Sequence, residues 1–448
     1  MFTVGEIARI VRGELTRGGD ARPSRVVHDS RRTERGDLFV ALAGARADGH
    51  AFLGEAFARG ACAALVSKRT VAESAEGPTI VVPDTLAALQ QLAAAWRDRL
   101  SATIVAVTGS NGKTTTRALL AHLLRAGRAV HEAPENYNTE IGLPLALLAA
   151  PASSDVGVFE LGTAKPGEIA ALVSILRPTT GILTGVGPSH LGGFGSVEAI
   201  AEEKWDLARG LPPDGLVLVN GDAEPLRRRA ARDPHDTLTV GLGDCRFCGR
   251  VVETAPRLVV DVDDPPLRLE TQLLGEHNAT NVLLAAACAH RLGLSARAIE
   301  EGARTFEAIP HRLQVLPAPF GSLLDDVYNA NPASMEGALR VLAEWGGPAT
   351  RRGFVFGDML DLGASSDDHH RGVLRLALEL GIDVVFPVGR RATAVCREVG
   401  PLRVVVTEAT ERVASVREQL PGPNDVLLVK GSRALRLENL VDEILAAG

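Results

Sequence analysis

A chain of 448 residues is too long for one hydrophobic core, and at ordinary domain size it divides into about three domains. Its 46% hydrophobic and 23% charged residues are those of a globular protein, and a net charge of −7 disfavours nucleic acid or an anionic membrane as partner. Five cysteines over this length make no disulfide framework. The N-terminus lacks a basic stretch followed by an apolar one, so a cytoplasmic chain is expected. The longest apolar run, 141–152, is short and contains Pro144, so stable membrane insertion is not expected.

Residues 1–97 read as a small N-terminal α/β domain, with strands at 36–42, 63–66 and 79–82 and a short helix at 52–58. A longer helix, 85–100, leads into the next domain, 98–309. There Thr103-Ile-Val-Ala-Val-Thr runs into Gly109-Ser-Asn-Gly112-Lys113-Thr114, and a helical pattern follows. A strand, a glycine turn and a helix N-terminus make an anion cradle. Gly109 and Gly112 admit close backbone approach, Lys113 can reach the β- and γ-phosphates, and the Thr114 hydroxyl can ligate Mg²⁺. The general phosphate-loop pattern wants a glycine five residues before Gly112, where Val107 stands.

Beyond the loop, strands at 156–160, 180–185 and 215–220 alternate with helices at 168–176 and 196–209, which argues a parallel sheet with helices on both faces. Residues 246–274 alternate at period two instead, the mark of a small antiparallel patch. Helices at 278–292 and 296–305 close the domain. From residue 310 to the end, strands at 323–327, 353–356, 384–388, 402–406 and 425–429 are each followed by a helical stretch, giving a small, open, Rossmann-like α/β domain.

Glu160 ends one strand of the central sheet and His190 follows the next, so both should emerge at the edge carrying the phosphate loop. There they can hold a second Mg²⁺, or simply be a strand-end glutamate and a loop histidine. Lys204 falls on the apolar face of its helix, with Val197, Ile200, Ala201, Leu207 and Ala208. A buried amine tends to lose its proton and can add CO₂ to become a metal-binding carbamate. The plainer reading is a lysine that snorkels. Asn278 and Asn281 share one helix face and can read an adenine edge, or Asn278 can serve as a cap. Leu323-Leu-Asp-Asp326 is weakly like a Walker B strand but lies far from the loop in sequence. Cys245 and Cys248 have C-x-x-C spacing without a second pair, so a metal or redox role is not favoured.

Together these stretches resemble the Mur ligase family of ATP-dependent peptide-bond-forming enzymes, over essentially the whole chain. The segment 108–116 is similar to that family's shortened phosphate loop, which accounts for Val107. Asn136-Tyr-Asn-Thr-Glu-Ile-Gly-Leu-Pro144, Asp326-Val-Tyr-Asn-Ala-Asn-Pro332 and Gly357-Asp-Met-Leu-Asp-Leu-Gly363 resemble the member that takes a dipeptide as its amine. The resemblance implies a UDP-sugar domain (1–97), a central ATPase domain (98–309) and a dipeptide domain (310–448). It implies ATP and Mg²⁺ as cofactors, UDP-MurNAc-tripeptide and D-Ala-D-Ala as substrates, and a monomer. Catalytic roles fall on Lys113, His190 and Lys204. Nucleotide contacts fall on Gly109, Asn111, Gly112, Lys113, Thr114, Thr115, Asn278, Asn281, Arg312 and Asp326, and metal ligation on Thr114, Glu160, His190 and a carbamylated Lys204. Substrate contacts fall on Ser30, Arg31, Asn136, Asn138, Thr139, Tyr328, Asn331, Asp358, Lys430 and Arg433.

The chain departs from the pattern at 163–166, at Gly185 and at Gly192, which bears on peptide contacts and on detail near the metal. Rival readings are a related ligase for another amino acid or folate, a P-loop switch or transport ATPase, and a small-molecule kinase.

Overall fold

The computed structural model describes residues 1–44, 47–188, 191–398, 403–406 and 412–446. Among these residues, strands assemble into three sheets. The first joins β1 (Glu14–Leu15), β2 (Val26–Val27), β3 (Leu38–Val40), β4 (Ala63–Val66) and β5 (Thr79–Val81) in the order β1-β5-β4-β3-β2. The second contains β6 (Thr103–Thr108), β7 (Val130–Glu132), β8 (Val156–Glu160), β9 (Thr180–Leu183) and β10 (Leu216–Asn220). It continues through β11 (Asp236–Gly241), β12 (Phe247–Glu253), β13 (Leu258–Val262) and β14 (Leu267–Thr271), in the order β14-β13-β12-β11-β10-β9-β6-β8-β7. The third holds β15 (Gln314–Ala318), β16 (Gly321–Asp326), β17 (Arg352–Gly357), β18 (Val384–Val388), β19 (Arg403–Val404) and β20 (Asp425–Lys430), in the order β15-β16-β20-β17-β18-β19.

By compactness the chain falls into two units. One comprises Met1–Thr108, Gly127–Ile182 and Glu203–Val217; the other comprises Gly109–Ala126, Leu183–Glu202 and Leu218–Gly448. In the first, the helix Thr85–Arg97 is capped by Asp84, whose carboxylate accepts from Leu86 and Ala87 N–H. Its apolar face, Ala88, Leu89, Leu92, Ala93 and Trp96, joins a core that also holds Leu143, Leu147, Ile169 and Leu172. A single helix therefore serves both the N-terminal sheet and the helices that cover the central one. β6 and β8 run parallel with Val107 opposite Glu160, which puts Glu160 level with the carboxyl end of β6, as expected. Glu203 is buried and accepts from Gly167 N–H (2.7 Å) and Ile169 N–H (2.8 Å), fixing the start of the helix Glu168–Leu176.

In the second unit the expected antiparallel patch is present: β12-β13-β14 pair antiparallel, and β12 joins the main sheet by parallel pairing with β11. The C-terminal sheet is parallel from β16 to β19, with Phe354 and Phe356 stacked in its core. β15 was not anticipated. It pairs antiparallel with β16 at the sheet edge, where Pro317 can forgo a ladder hydrogen bond. The strand expected at 402–406 is shorter, Arg403–Val404, with residue 402 outside the described residues. Among the described residues no helix is long and apolar enough to cross a membrane.

Candidate active site

The phosphate loop leaves β6 and closes on the helix Lys113–Leu124 through Gly112, whose φ of +80° favours glycine. A Cβ on Gly112 would lie 2.0 Å from Asn281 Oδ1, and one on Gly109 would lie 1.9 Å from Thr184 Oγ1. Both glycines are therefore required by close approach. Lys113 folds back, its Nζ donating to Gly109 O at 2.9 Å. The Thr184 hydroxyl donates to Asn111 O, and Ser110 N–H donates to Gly185 O at 2.9 Å. Thr184 and Gly185 thus brace the loop, a role that sequence reasoning missed.

Asn281 and Asn278 are linked, with Asn281 Nδ2 donating to Asn278 Oδ1 at 3.0 Å and Asn278 Nδ2 to Leu274 O at 2.9 Å. Thr116 Oγ1 donates to Asn281 Oδ1 at 3.4 Å. Asn278 occupies the N-cap position of the helix Ala279–Arg291 but makes no capping bond, so the capping alternative does not hold.

Five further residues, Arg312, Asp326, Tyr328, Lys430 and Arg433, meet here. Arg312 Nη2 donates to Thr114 Oγ1 at 2.8 Å, and its guanidinium carbon lies 3.8 Å from the centre of the Tyr328 ring. Arg433 approaches the same ring at 5.7 Å. Lys430 Nζ donates to Asp326 Oδ2 (2.6 Å) and Asn329 O (3.0 Å). Burial pushes the Asp326 carboxyl up from its ordinary value, against the pull of Lys430. Asp326 ends β16 of the C-terminal sheet, so it is no Walker B residue of the phosphate-loop sheet. A cavity of about 420 Å³ is lined by the loop residues Ser110 to Gly112 and Thr115, by Asn278 and Asn281, and by Arg312, Asp326, Tyr328 and Lys430. That is the size and polarity of a nucleotide pocket.

Asn331 has two partners. Its Oδ1 accepts from Ser334 N–H at 3.0 Å and caps the helix Pro332–Glu344, while its Nδ2 donates to Asn111 Oδ1 at 2.6 Å. Asn331→Ala is expected to lose about 1 kcal/mol of stability with the cap. Asn331→Ser keeps a capping oxygen but cannot reach Asn111. It should melt like the wild type yet bind ATP as weakly as Asn331→Ala. Thermal melts beside nucleotide titrations check this; full ATP affinity in both variants would leave Asn331 only its cap. Asp358 accepts from Arg391 N–H (3.3 Å) and Ala392 N–H (2.7 Å), which fixes the start of the helix Arg390–Glu398.

Ser30, Arg31, Asn136, Asn138, Thr139, Glu160 and Lys204 lie in the other unit. Asn138 Nδ2 donates to Glu160 Oε1 at 2.8 Å, joining a substrate candidate to a metal candidate. Lys204 is 4% exposed, so it does not snorkel. Thr139 Oγ1 accepts from Gly142 N–H, and Asn136 adopts φ +67°. Ser30 Oγ donates to Glu55 at 2.7 Å. Arg31 forms a two-pronged pair with Asp29, holding that carboxyl down at about 2. Next to them a cavity of about 340 Å³ has an apolar floor of Val26, Leu145 and Leu148 and polar walls of Arg25, His28, Arg32 and Tyr137. His190 lies outside the described residues. Among the described residues no three His, Cys, Asp or Glu side chains form a metal cluster. Burial and the nearby Asp222 push the Cys245 thiol up to about 11, far from a thiolate ligand at neutral pH.

Comparison with known proteins matches three family models: "Mur ligase family, catalytic domain" over 24–97, "Mur ligase middle domain" over 107–289 and "Mur ligase, glutamate ligase domain" over 311–433. The chain is 31% identical to the UDP-N-acetylmuramoyl-tripeptide–D-alanyl-D-alanine ligase of Bacillus subtilis, over 99% of this chain and 98% of that one. To the enzyme of the same name from Escherichia coli it is 34% identical, over 98% and 97%. A crystal structure of MurF from Acinetobacter baumannii superposes with a TM-score of 0.91 at 28% identity, covering 99% of each chain. The ADP complex of MurF from Thermotoga maritima gives 0.84 at 26% identity, covering 94% and 97%.

Proposed function

The chain belongs to the Mur ligase family, and from that premise we propose that it joins D-Ala-D-Ala to UDP-MurNAc-tripeptide at the expense of ATP. The observation that carries this reading is the pocket in which a glycine-bounded phosphate loop meets Arg312, Asp326, Tyr328 and Lys430. Residues 1–97 take the UDP-sugar, 98–309 the ATP and 310–448 the dipeptide. The cavity beside Asp29, with its apolar floor and arginine walls, suits a uridine diphosphate.

The reaction is two displacements. The tripeptide's terminal carboxylate attacks the γ-phosphorus and ADP leaves, giving an acyl phosphate. The dipeptide amine then attacks the acyl carbon, phosphate leaves, and the amine loses a proton. The loop and the Lys113 ammonium receive the phosphates, and Lys113 exchanges its bond to Gly109 O for phosphate oxygen. Asn278 and Asn281 take the adenine, and Asp326 is the proposed partner of the ribose hydroxyls.

The Thr114 hydroxyl and the Glu160 carboxylate are each hard oxygen donors of the kind Mg²⁺ takes, with phosphate and water supplying most of its other ligands. Such an ion would neutralise charge on the transferring phosphoryl group. Thr114 Oγ1 now accepts from Arg312. That bond would be displaced by a Mg²⁺ held there, and the guanidinium would then pair with phosphate. Glu160, His190 and a carbamylated Lys204 complete the proposed metal ligands.

The deciding experiment is a mass spectrum of product from defined tripeptides, ATP and a panel of amines. A gain equal to D-Ala-D-Ala less water, with ADP and phosphate formed in equal amounts, is expected. A gain with another amine points to a sister ligase, and ATP hydrolysis without covalent product points to a switch or transport ATPase. Phosphate retained on the product points to a kinase.

A further inference from the structure

His311 stands beside Arg312 and entered none of the readings above. Its φ is +63°, and that of Leu313 is +51°, so the arginine is flanked by two non-glycine residues in the left-handed region. Such backbone persists only where its surroundings hold it. For His311 the holding contacts are present. Its Nδ1 lies 2.8 Å from Asp325 Oδ2, and Asp325 is 1% exposed. An ionised carboxylate only accepts, so Nδ1 carries the proton. The other carboxylate oxygen, Oδ1, accepts from Val327 N–H at 3.3 Å. His311 O accepts from Tyr328 N–H at 3.2 Å.

These bonds close a small ring that ties the segment around Arg312 to the end of β16. The same strand end carries Asp326, and Tyr328 is the ring on which Arg312 stacks. A shift of the His311 backbone would therefore move both the guanidinium and its platform relative to Thr114. We propose that His311 is a positioning residue: its bond to Asp325 holds the strained segment so that Arg312 meets the nucleotide's phosphates. This rests on the reading of Arg312 as a nucleotide contact. It adds to that reading the side chain that aims the arginine, and it assigns Asp325 the work of an anchor.

The role separates from plain stabilisation by the choice of substitute. Alanine loses the donor and tolerates the left-handed backbone poorly. Glycine loses the donor but adopts that backbone freely. Asparagine tolerates it and keeps an N–H donor. The readouts are ADP affinity by calorimetry on the whole chain, KM for ATP, kcat at saturating ATP, and the melting temperature. His311→Ala is expected to weaken ADP binding and raise KM for ATP about tenfold, about 1.4 kcal/mol, with kcat changed by less than about threefold. His311→Gly should fall between alanine and wild type, and His311→Asn should recover most of the affinity.

If His311→Ala or His311→Gly folds and binds ADP like the wild type, the proposal is overturned. It is also overturned if the variants differ only in melting temperature. A wild type that binds ADP but forms no ligation product would sink the ligase reading, while the ADP titrations would still decide the role of His311.

Discussion

Lys113→Ala should fold like the wild type and lose turnover by ~10²-fold or more, the scale of removing one preorganised contact to charge that develops in the transition state. The folded-state contacts of Lys113 explain the first half of that expectation. Its Nζ bonds to Gly109 O at 2.9 Å, a half-exposed bond within its own loop, and the helix it opens is held by the packing of Leu119, Leu120 and Leu123. The second half follows from its tether. A lysine held against the loop carbonyls needs only a short swing to phosphate, so the charge is delivered at small entropic cost. Lys113→Arg should recover little, because a planar guanidinium does not fit the space of a compact ammonium between loop and phosphate. The test is a single-turnover assay beside a thermal melt. Near-normal product formation by a folded Lys113→Ala would remove the phosphate-loop assignment. Loss of the fold itself would instead make Lys113 a structural residue.

What was legible beforehand is what leaves a local pattern. The strand Val156–Glu160 and the helices Glu168–Leu176 and Ala296–Thr305 begin and end where hydrophobic periodicity says they should. The phosphate loop was equally plain, because a run of β-formers, two glycines and a lysine occupy consecutive positions. β15 escaped because Pro317 reads as a strand breaker, and only an edge position tolerates it. The pairing of Asn111 with Asn331 joins residues 220 apart, and no window along the chain contains both. Asn331 accordingly read as a substrate contact, although its side chain already has two protein partners. His311 was silent for another reason. Its strain lies in a dihedral angle, and an unremarkable residue type gives no warning of it. The apolar stripe left Lys204 open between burial and snorkelling, with snorkelling the plainer reading, and its 4% exposure decides for burial.

That burial drives the second large prediction. Lys204 is 4% exposed on the helix Val197–Arg209, with Ile200, Ala201, Leu207 and Ala208 at 1% or less. Its burial on that stripe, together with its match to the lysine carbamylated in family members, motivates the expectation that it carries CO₂. A neutral amine is the form that reacts with CO₂: nitrogen bonds to carbon, one proton leaves to solvent, and an anionic carbamate remains. A carbamate would supply hard oxygens where an ammonium would repel a cation, so the proposed modification would make Lys204 a metal ligand. Lys204→Ala is expected to lose activity on the order of 10²-fold or more, as other removals of preorganised charge stabilisation do. Short carboxylates such as formate should restore part of it by occupying the vacated oxygen position. Lys204→Arg should show no rescue, because its fixed positive charge stays in place. In wild type grown or dialysed with ¹³C-bicarbonate, carbon NMR should show a carbamate resonance that is absent from Lys204→Ala. Activity and resonance should fall together as CO₂ is stripped from the buffer. A Lys204→Ala enzyme that keeps most of its turnover, or a resonance that survives the substitution, would reduce Lys204 to a buried structural residue and leave the proposed metal ligands one short.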